Sequence, residues 1–242
     1  MREFDHASSI SIANVAKNPQ ESNNWQTFYS RLAVLAEKLA PTFLEPLRSS
    51  HEIKAMIGEE LWNEFIASPI SETLKRNFTN DVIRGIVLTD GLIGTFTSAS
   101  EIAANICFLY HLVGNGTGEW RVPKGGMGKL VESLTNRCKA LGVEMRSSAE
   151  VSRISESSGG VQVELANGER ITSRVCLAGF SPEVLKKVAN IPAPNYREGS
   201  QLKVNMVLTR LPQLRSGLSP ETAFAGTFHI DESYSQLELA FE

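Results

Sequence analysis

A switch of hydrophobic period at one run of glycines, Gly114-Asn115-Gly116-Thr117-Gly118, constrains this chain more than any other feature. Before it, apolar residues recur at steps of three and four. Trp25, Phe28, Tyr29, Leu32, Leu35, Ala36 and Leu39 show this best, with the spacing of one buried helix face. After it comes one helix with an apolar stripe of Met127, Leu130, Val131, Leu134, Cys138 and Leu141, whose other face carries Lys129, Glu132, Asn136 and Lys139. The pattern then changes to alternation in Val161, Val163 and Leu165, the spacing of a strand with one buried side. Two periods in one chain predict a mixed α/β (α+β) fold.

Residues 1–118 read as a helical block. Asn23 or Asn24 can cap its first helix and Pro41 can stop it. Further helices are predicted over Glu52–Ile57, Glu59–Ile66, Glu72–Phe78, Asp81–Leu92 and Glu101–Val113, with Pro69 and Gly91–Gly94 as punctuation. Residues 1–22 show only a weak apolar rhythm and receive no element. The glycine run resembles G-x-G-x-G, but it neither follows a strand nor opens a helix. It therefore lacks the context of a dinucleotide fingerprint and reads as a change of direction.

Residues 119–190 read as a strand end at Trp120, a glycine turn at Gly125-Gly126-Met127-Gly128, and a helix ending at Leu141 with Gly142 as its stop. Short strands follow at Val143–Met145 and Val151–Ile154. A hairpin is closed by Asn167-Gly168, the strongest short-range hairpin signal in the chain. A last strand, Val175–Ala178, precedes a short helix over 183–190. In residues 191–242, a loop rich in Pro, Gly and Ser leads to a strand at Lys203–Leu208. The apolar run Leu237–Phe241 has no polar tail, an ending that suggests the sequence continues.

Composition narrows the function. A net charge of -3 gives no footprint for a phosphate backbone, so nucleic acid is not an expected partner. Three separated cysteines, Cys107, Cys138 and Cys176, suit buried thiols in a reducing compartment better than disulfides or a zinc site. The longest apolar run, Ile106–Val113, is far short of the ~20 residues of a membrane span, and no signal peptide is visible. A soluble, cytoplasmic protein is the expectation.

Familiar catalytic constellations are missing. The chain has no phosphate-loop motif, no H-E-x-x-H, no C-x-x-C and no nucleophile elbow. His111, beside Tyr110 on an apolar helix, is a candidate site residue, though a hydrogen-bonded core histidine is the commoner case. The Gly125-Gly126-Met127-Gly128 turn opens a helix, leaving backbone N–H groups at its positive end and room for a cofactor or another backbone. Tight packing of helix on sheet explains the same glycines equally well.

The run Trp120-Arg121-Val122-Pro123-Lys124-Gly125-Gly126-Met127-Gly128-Lys129-Leu130, with Ala149-Glu150-Val151-Ser152-Arg153-Ile154 after Gly142, resembles the middle of flavoprotein oxidoreductases. The group is the phytoene-desaturase-like and amine-oxidase-like FAD enzymes. Phytoene-dehydrogenase-related proteins, including the pyridine nucleotide-disulphide oxidoreductase domain-containing type, are the nearest in pattern. Asn167-Gly168-Glu169 before Val175–Ala178, and Leu202-Lys203-Val204-Asn205 running to Leu211-Pro212, extend the likeness over about residues 120–212.

The resemblance implies roles. Val151 would make a backbone contact at the adenine end of FAD, and Ala178 and Gly179 would end a strand beside the cofactor. Gly125, Gly126 and Gly128 would let their helix pack on the flavin domain. Lys203 matches a strand lysine that holds a water near the reactive flavin nitrogen in amine-oxidase-like relatives. FAD would carry the redox chemistry, with the protein supplying orientation and exclusion of water.

The domains implied are a helical substrate-side block over 1–118, part of an FAD/NAD(P)-binding-type domain over 119–190, and the start of a substrate-domain sheet over 191–242. The family's opening G-x-G-x-x-G segment, which holds the pyrophosphate, has no counterpart in residues 1–119. The expectation is therefore a central fragment of a longer oxidoreductase that binds FAD weakly alone. In the full enzyme an apolar small-molecule substrate would pass a hydride to the flavin. The alternative is a non-catalytic ligand-binding or dimerisation module that has lost FAD. Unpaired sheet edges would invite homo-oligomers in either case.

Overall fold

The computed structural model describes residues 12–114, 123–192, 199–224 and 228–242. Most of the glycine run, the strand end at Trp120 and much of the loop over 191–200 lie outside these residues. The chain divides into two compact units, one formed by Met1–Trp120 with Glu198–Glu242 and the other by Arg121–Arg197.

The first unit is built on helix α1, Pro19–Leu39. It starts before the expected Asn23. The Asn18 side chain accepts from the Gln20 N–H at 3.0 Å, and Pro19 supplies the fixed φ favoured in a first turn. Its predicted stripe, Trp25 to Leu39, is buried as the spacing required. Helix α2 is Ser50–Ile57, opened by a reciprocal capping box between Ser49 and Glu52. Helix α3, Glu59–Trp62, widens into a π-helical turn over Asn63–Ala67. Helices α4 (Ile70–Asn77), α5 (Asp81–Leu92) and α6 (Ala103–Val113) complete the block.

The aromatic residues meet at Phe28, whose ring lies 5.2 Å from that of Phe78, 5.6 Å from Phe65 and 6.2 Å from Phe108. All four are buried, and each contributes on the order of 2–3 kcal/mol of transfer free energy. Two polar side chains in this core bridge separate elements. The Asn105 amide accepts from the Ile70 N–H at 3.0 Å and donates to the carbonyls of Phe65 and Ser68 at 2.9 and 2.8 Å. It thereby satisfies the backbone between the π turn and α4. Glu21, fully buried, accepts from the N–H groups of Thr79 and Asn80 at 2.8 and 3.2 Å and from the Thr79 hydroxyl. This ties α1 to the start of α5.

The second unit starts from the turn Gly125-Gly126, with φ of 89° and 80°, values that favour glycine. Helix α7, Met127–Ala140, follows, and none of its residues is buried. Strands β1 (Val151–Ser157), β2 (Gly160–Leu165) and β3 (Arg170–Ser173) form an antiparallel meander in that order. Ile154 faces Val163, which faces Ile171. The Asn167-Gly168 turn joins β2 to β3, where its sequence placed it. Helix α8, Pro182–Ala189, is capped by Ser181 and packs on β1.

Three predicted strands do not form. Val143–Met145, Val175–Ala178 and Lys203–Leu208 enter no ladder among the described residues. A strand needs a partner for its main-chain groups, and these segments find none. Among the described residues, 199–224 enter no ladder. The segment belongs to the helical unit.

The C-terminal residues also return to that unit. After the short helix α9 (Pro220–Ala223), helix α10 (Tyr234–Phe241) docks beside α5. Asp81, Gly85 and Thr89, one stripe of α5, receive it. Asp81 accepts from the Ser235 N–H and hydroxyl, and the Thr89 hydroxyl donates to Glu232 at 2.6 Å. A Cβ on Gly85 would lie 1.8 Å from the Glu232 carbonyl oxygen, so only glycine permits this approach. Glu238 accepts from the Ala99 N–H at 2.9 Å and the Ser98 hydroxyl at 3.1 Å, just ahead of α6.

Candidate functional site

The positions singled out in the sequence fall in both units. In the second, Gly125, Gly126 and Gly128 form the head of α7 and are exposed. A Cβ on Gly126 or Gly128 would meet nothing within 4 Å. Neither is therefore demanded by packing of this helix on its own sheet, and that explanation is removed for the residues described. Val151 opens β1, half-buried opposite Leu165, with a bulge before Arg153. Ala178 and Gly179 lie in the extended, exposed stretch that leaves β3 and leads to Ser181. An open depression lined by Ser173, Arg174 and Val175 marks the start of that stretch.

Lys203 belongs to the first unit, exposed on an extended segment without a ladder. The strand that was to aim it at a cofactor does not form among the described residues. No hydrogen bond or ion pair among those described joins these positions, and five of the six in the second unit are exposed. Within that unit they offer surface to a ligand without enclosing it.

Electrostatics in the second unit centre on Arg146 and Glu169. The guanidinium donates two hydrogen bonds of 2.8 Å to the two carboxylate oxygens, a bidentate pair that fastens the segment after α7 to the β2–β3 turn. Hydrogen bonding to Arg146 holds the Glu169 carboxyl below its ordinary value and raises that of Arg146 in turn.

His111 is occupied locally. Its Nδ1 lies 3.0 Å from the Cys107 carbonyl and 3.4 Å from the Cys107 sulfur, while that thiol donates to the Ile93 carbonyl at 3.0 Å. A thiol proton held on a carbonyl does not suit a nucleophile. Among the described residues no group of three or more His, Cys, Asp or Glu is placed to hold a metal, and no helix is long and apolar enough to cross a membrane.

Sequence reasoning missed the acidic residues that organise the first unit. Glu21 and Glu64 are buried and Glu238 is half-buried, and nothing in their sequence neighbourhood announces it. Arg31 pairs with Glu64, and with Glu60 at 2.9 Å. One signal for α10 was available, since Ser233-Tyr234-Ser235-Gln236 has the spacing of a capping box.

Against this geometry, the family profile described as "Flavin containing amine oxidoreductase" matches residues 16–207. The uncharacterized protein Rv0897c of Mycobacterium tuberculosis is 37% identical over 235 residues, which cover 91% of this chain and 44% of that protein. Pyridine nucleotide-disulfide oxidoreductase domain-containing protein 2 of Mus musculus is 26% identical over 268 residues, 93% of this chain and 46% of its own length. The chain thus spans less than half the length of these relatives.

Proposed function

We propose, since the chain belongs to the family of flavin-containing amine oxidoreductases, that it serves as the central part of an FAD-dependent dehydrogenase or desaturase acting on an apolar small molecule. The family implies a flavin. The choice of FAD, the phytoene-dehydrogenase-like activity and the apolar substrate belong to our reading. The observation that carries it is the profile match, which covers residues 16–207 and so includes parts of both units.

The residues described fit only the margin of a flavin site. Gly126 and Gly128 leave open space at a helix head and Ala178-Gly179 is exposed backbone, but nothing within the second unit encloses a ring system. A bound flavin would take up the electron pair that the substrate gives up. This chain would contribute backbone approach at these glycines and the framework that holds them. Three free cysteines suit a reducing, cytoplasmic setting for the protein.

An absorbance titration tests the proposal. FAD is added separately to this chain and to the purified mycobacterial relative. We expect the relative to hold flavin, shown by its visible absorbance band, and this chain to bind far more weakly. A relative that neither retains nor takes up flavin overturns the reading and leaves a cofactor-free binding module.

A further inference from the structure

Two buried polar atoms of the first unit, Glu21 Oε2 and Trp25 Nε1, have no hydrogen-bond partner among the described residues. Glu21 is fully buried and Trp25 is 8% exposed, so bulk solvent does not serve them. A buried donor or acceptor without a partner is costly, and native proteins rarely leave one so. The other buried carboxylate of this unit is provided for on both oxygens. Glu64 Oε1 accepts from the Asn77 amide at 3.1 Å, and Oε2 pairs with Arg31.

The two orphan atoms belong to one place. Glu21 and Trp25 are four residues apart on α1, one turn along the same face. Both side chains reach the short link Phe78–Asn80 that joins α4 to α5. The Trp25 ring packs on Phe78, with centroids 6.3 Å apart. Glu21 Oε1 accepts from the N–H groups of Thr79 and Asn80 and from the Thr79 hydroxyl. Neither group is free to turn and bond the other. Three donors fix the carboxylate, and Tyr29, with its ring 4.5 Å away, confines the indole together with Phe78.

The chemistry of the pair selects its ligand. The indole nitrogen only donates and the carboxylate only accepts, so one molecule must do the reverse of both. A metal ion or an ammonium group would satisfy Oε2 but has nothing to accept the indole proton. An anion would take that proton but would face the Glu21 carboxylate. A proton on Oε2 would leave two donors and no acceptor. We propose that a single buried water bridges the two side chains, accepting from Trp25 Nε1–H and donating to Glu21 Oε2. Two hydrogen bonds place it within the range that buried waters make. The water is a further tie between α1 and the α4–α5 link, beside those made by Oε1. It stands within the helical unit and is independent of any flavin.

Nuclear magnetic resonance on this chain, isotope-labelled, tests the proposal. The Trp25 indole signal is assigned by its loss in Trp25→Phe. We expect a cross-peak between the Trp25 indole proton and water whose sign inverts between laboratory-frame and rotating-frame measurements. Inversion marks a water held in contact, whereas proton exchange keeps one sign. The peak should persist in Thr79→Val, which removes the neighbouring hydroxyl that could relay it. No cross-peak overturns the proposal, as does a peak of unchanged sign. Loss of the peak in a Thr79→Val chain that keeps its dispersed amide spectrum also overturns it. A high-resolution crystal structure of the same chain gives a second reading. An ordered water within hydrogen-bond distance of both atoms supports the bridge. A direct bond from Trp25 to Glu21, or a cation on Oε2, overturns it.

Discussion

The two units carry similar proportions of apolar residues and use them to different ends. In the first, α1 buries its whole stripe, and Phe28 is surrounded by Phe65, Phe78 and Phe108. In the second, α7 has an equally regular stripe and buries none of it. Periodicity thus reports that a face is meant to be covered. It does not report where the cover comes from. The first unit finds its cover within the chain, partly in α10 from far along the sequence, whereas the second presents its face outward.

The sharpest way to break the comparison is a matched pair of truncations. Phe28→Ala should cost about 3–5 kcal/mol in denaturant unfolding, since a large ring leaves a close-packed cluster. Leu134→Ala, at an equivalent place on the α7 stripe, should stay within about 0.5 kcal/mol because its neighbours are solvent. A comparable loss at both positions would show that α7 is covered within this chain.

Next in size is Glu21→Ala, expected to cost about 2–3 kcal/mol by removing the buried acceptor of the Thr79 and Asn80 N–H groups and leaving a void beneath them. A thermal melt that matches the parent's would refute this role. Gly85→Ala should follow at about 1–3 kcal/mol, because its methyl group displaces the 232–234 backbone. Protease cleavage within 228–242 should then rise while α1 remains protected, and an unchanged digestion pattern would count against the docked helix.

The smallest effect belongs to Glu169, on the surface of the second unit. Its folded-state pKa is lowered by Arg146, so its contribution is present above the ordinary carboxylate pKa of about 4.3 and is lost as pH falls through the lower folded value. An NMR titration should give a midpoint below the ordinary one, returning toward it in Arg146→Ala. Global stability should barely move, as expected for an exposed pair.

Much of this was legible in the sequence because the signals were local. The α5 bounds Asp81–Leu92, the burial of α1 and the Asn167-Gly168 hairpin follow from period, caps and turn chemistry. The family likeness was legible too, since its motifs keep order and spacing over a long stretch. What failed was non-local. Val175–Ala178 and Lys203–Leu208 have strand composition, but a strand is completed by its neighbour, and composition cannot supply one. The long reach of Glu238 to Ala99, and of Glu232 to Thr89, left no trace in any window of sequence. Among the candidate site residues, the glycine turn at Gly125-Gly126 was readable from positive-φ logic, whereas the setting of Lys203 depended on a sheet that does not form here.

The contact of α10 with α5 has a consequence for synthesis. The ribosome delivers Asp81, Gly85 and Thr89 early and their partners Glu232 and Ser235 between 143 and 154 residues later. At roughly 5–20 residues per second, the α5 stripe waits on the order of ten seconds for its cover, and the whole second unit is made in the interval. The first unit is therefore begun first and completed last. During that wait, the nascent chain carries an uncovered groove that a chaperone, or a neighbouring chain on the same message, can reach.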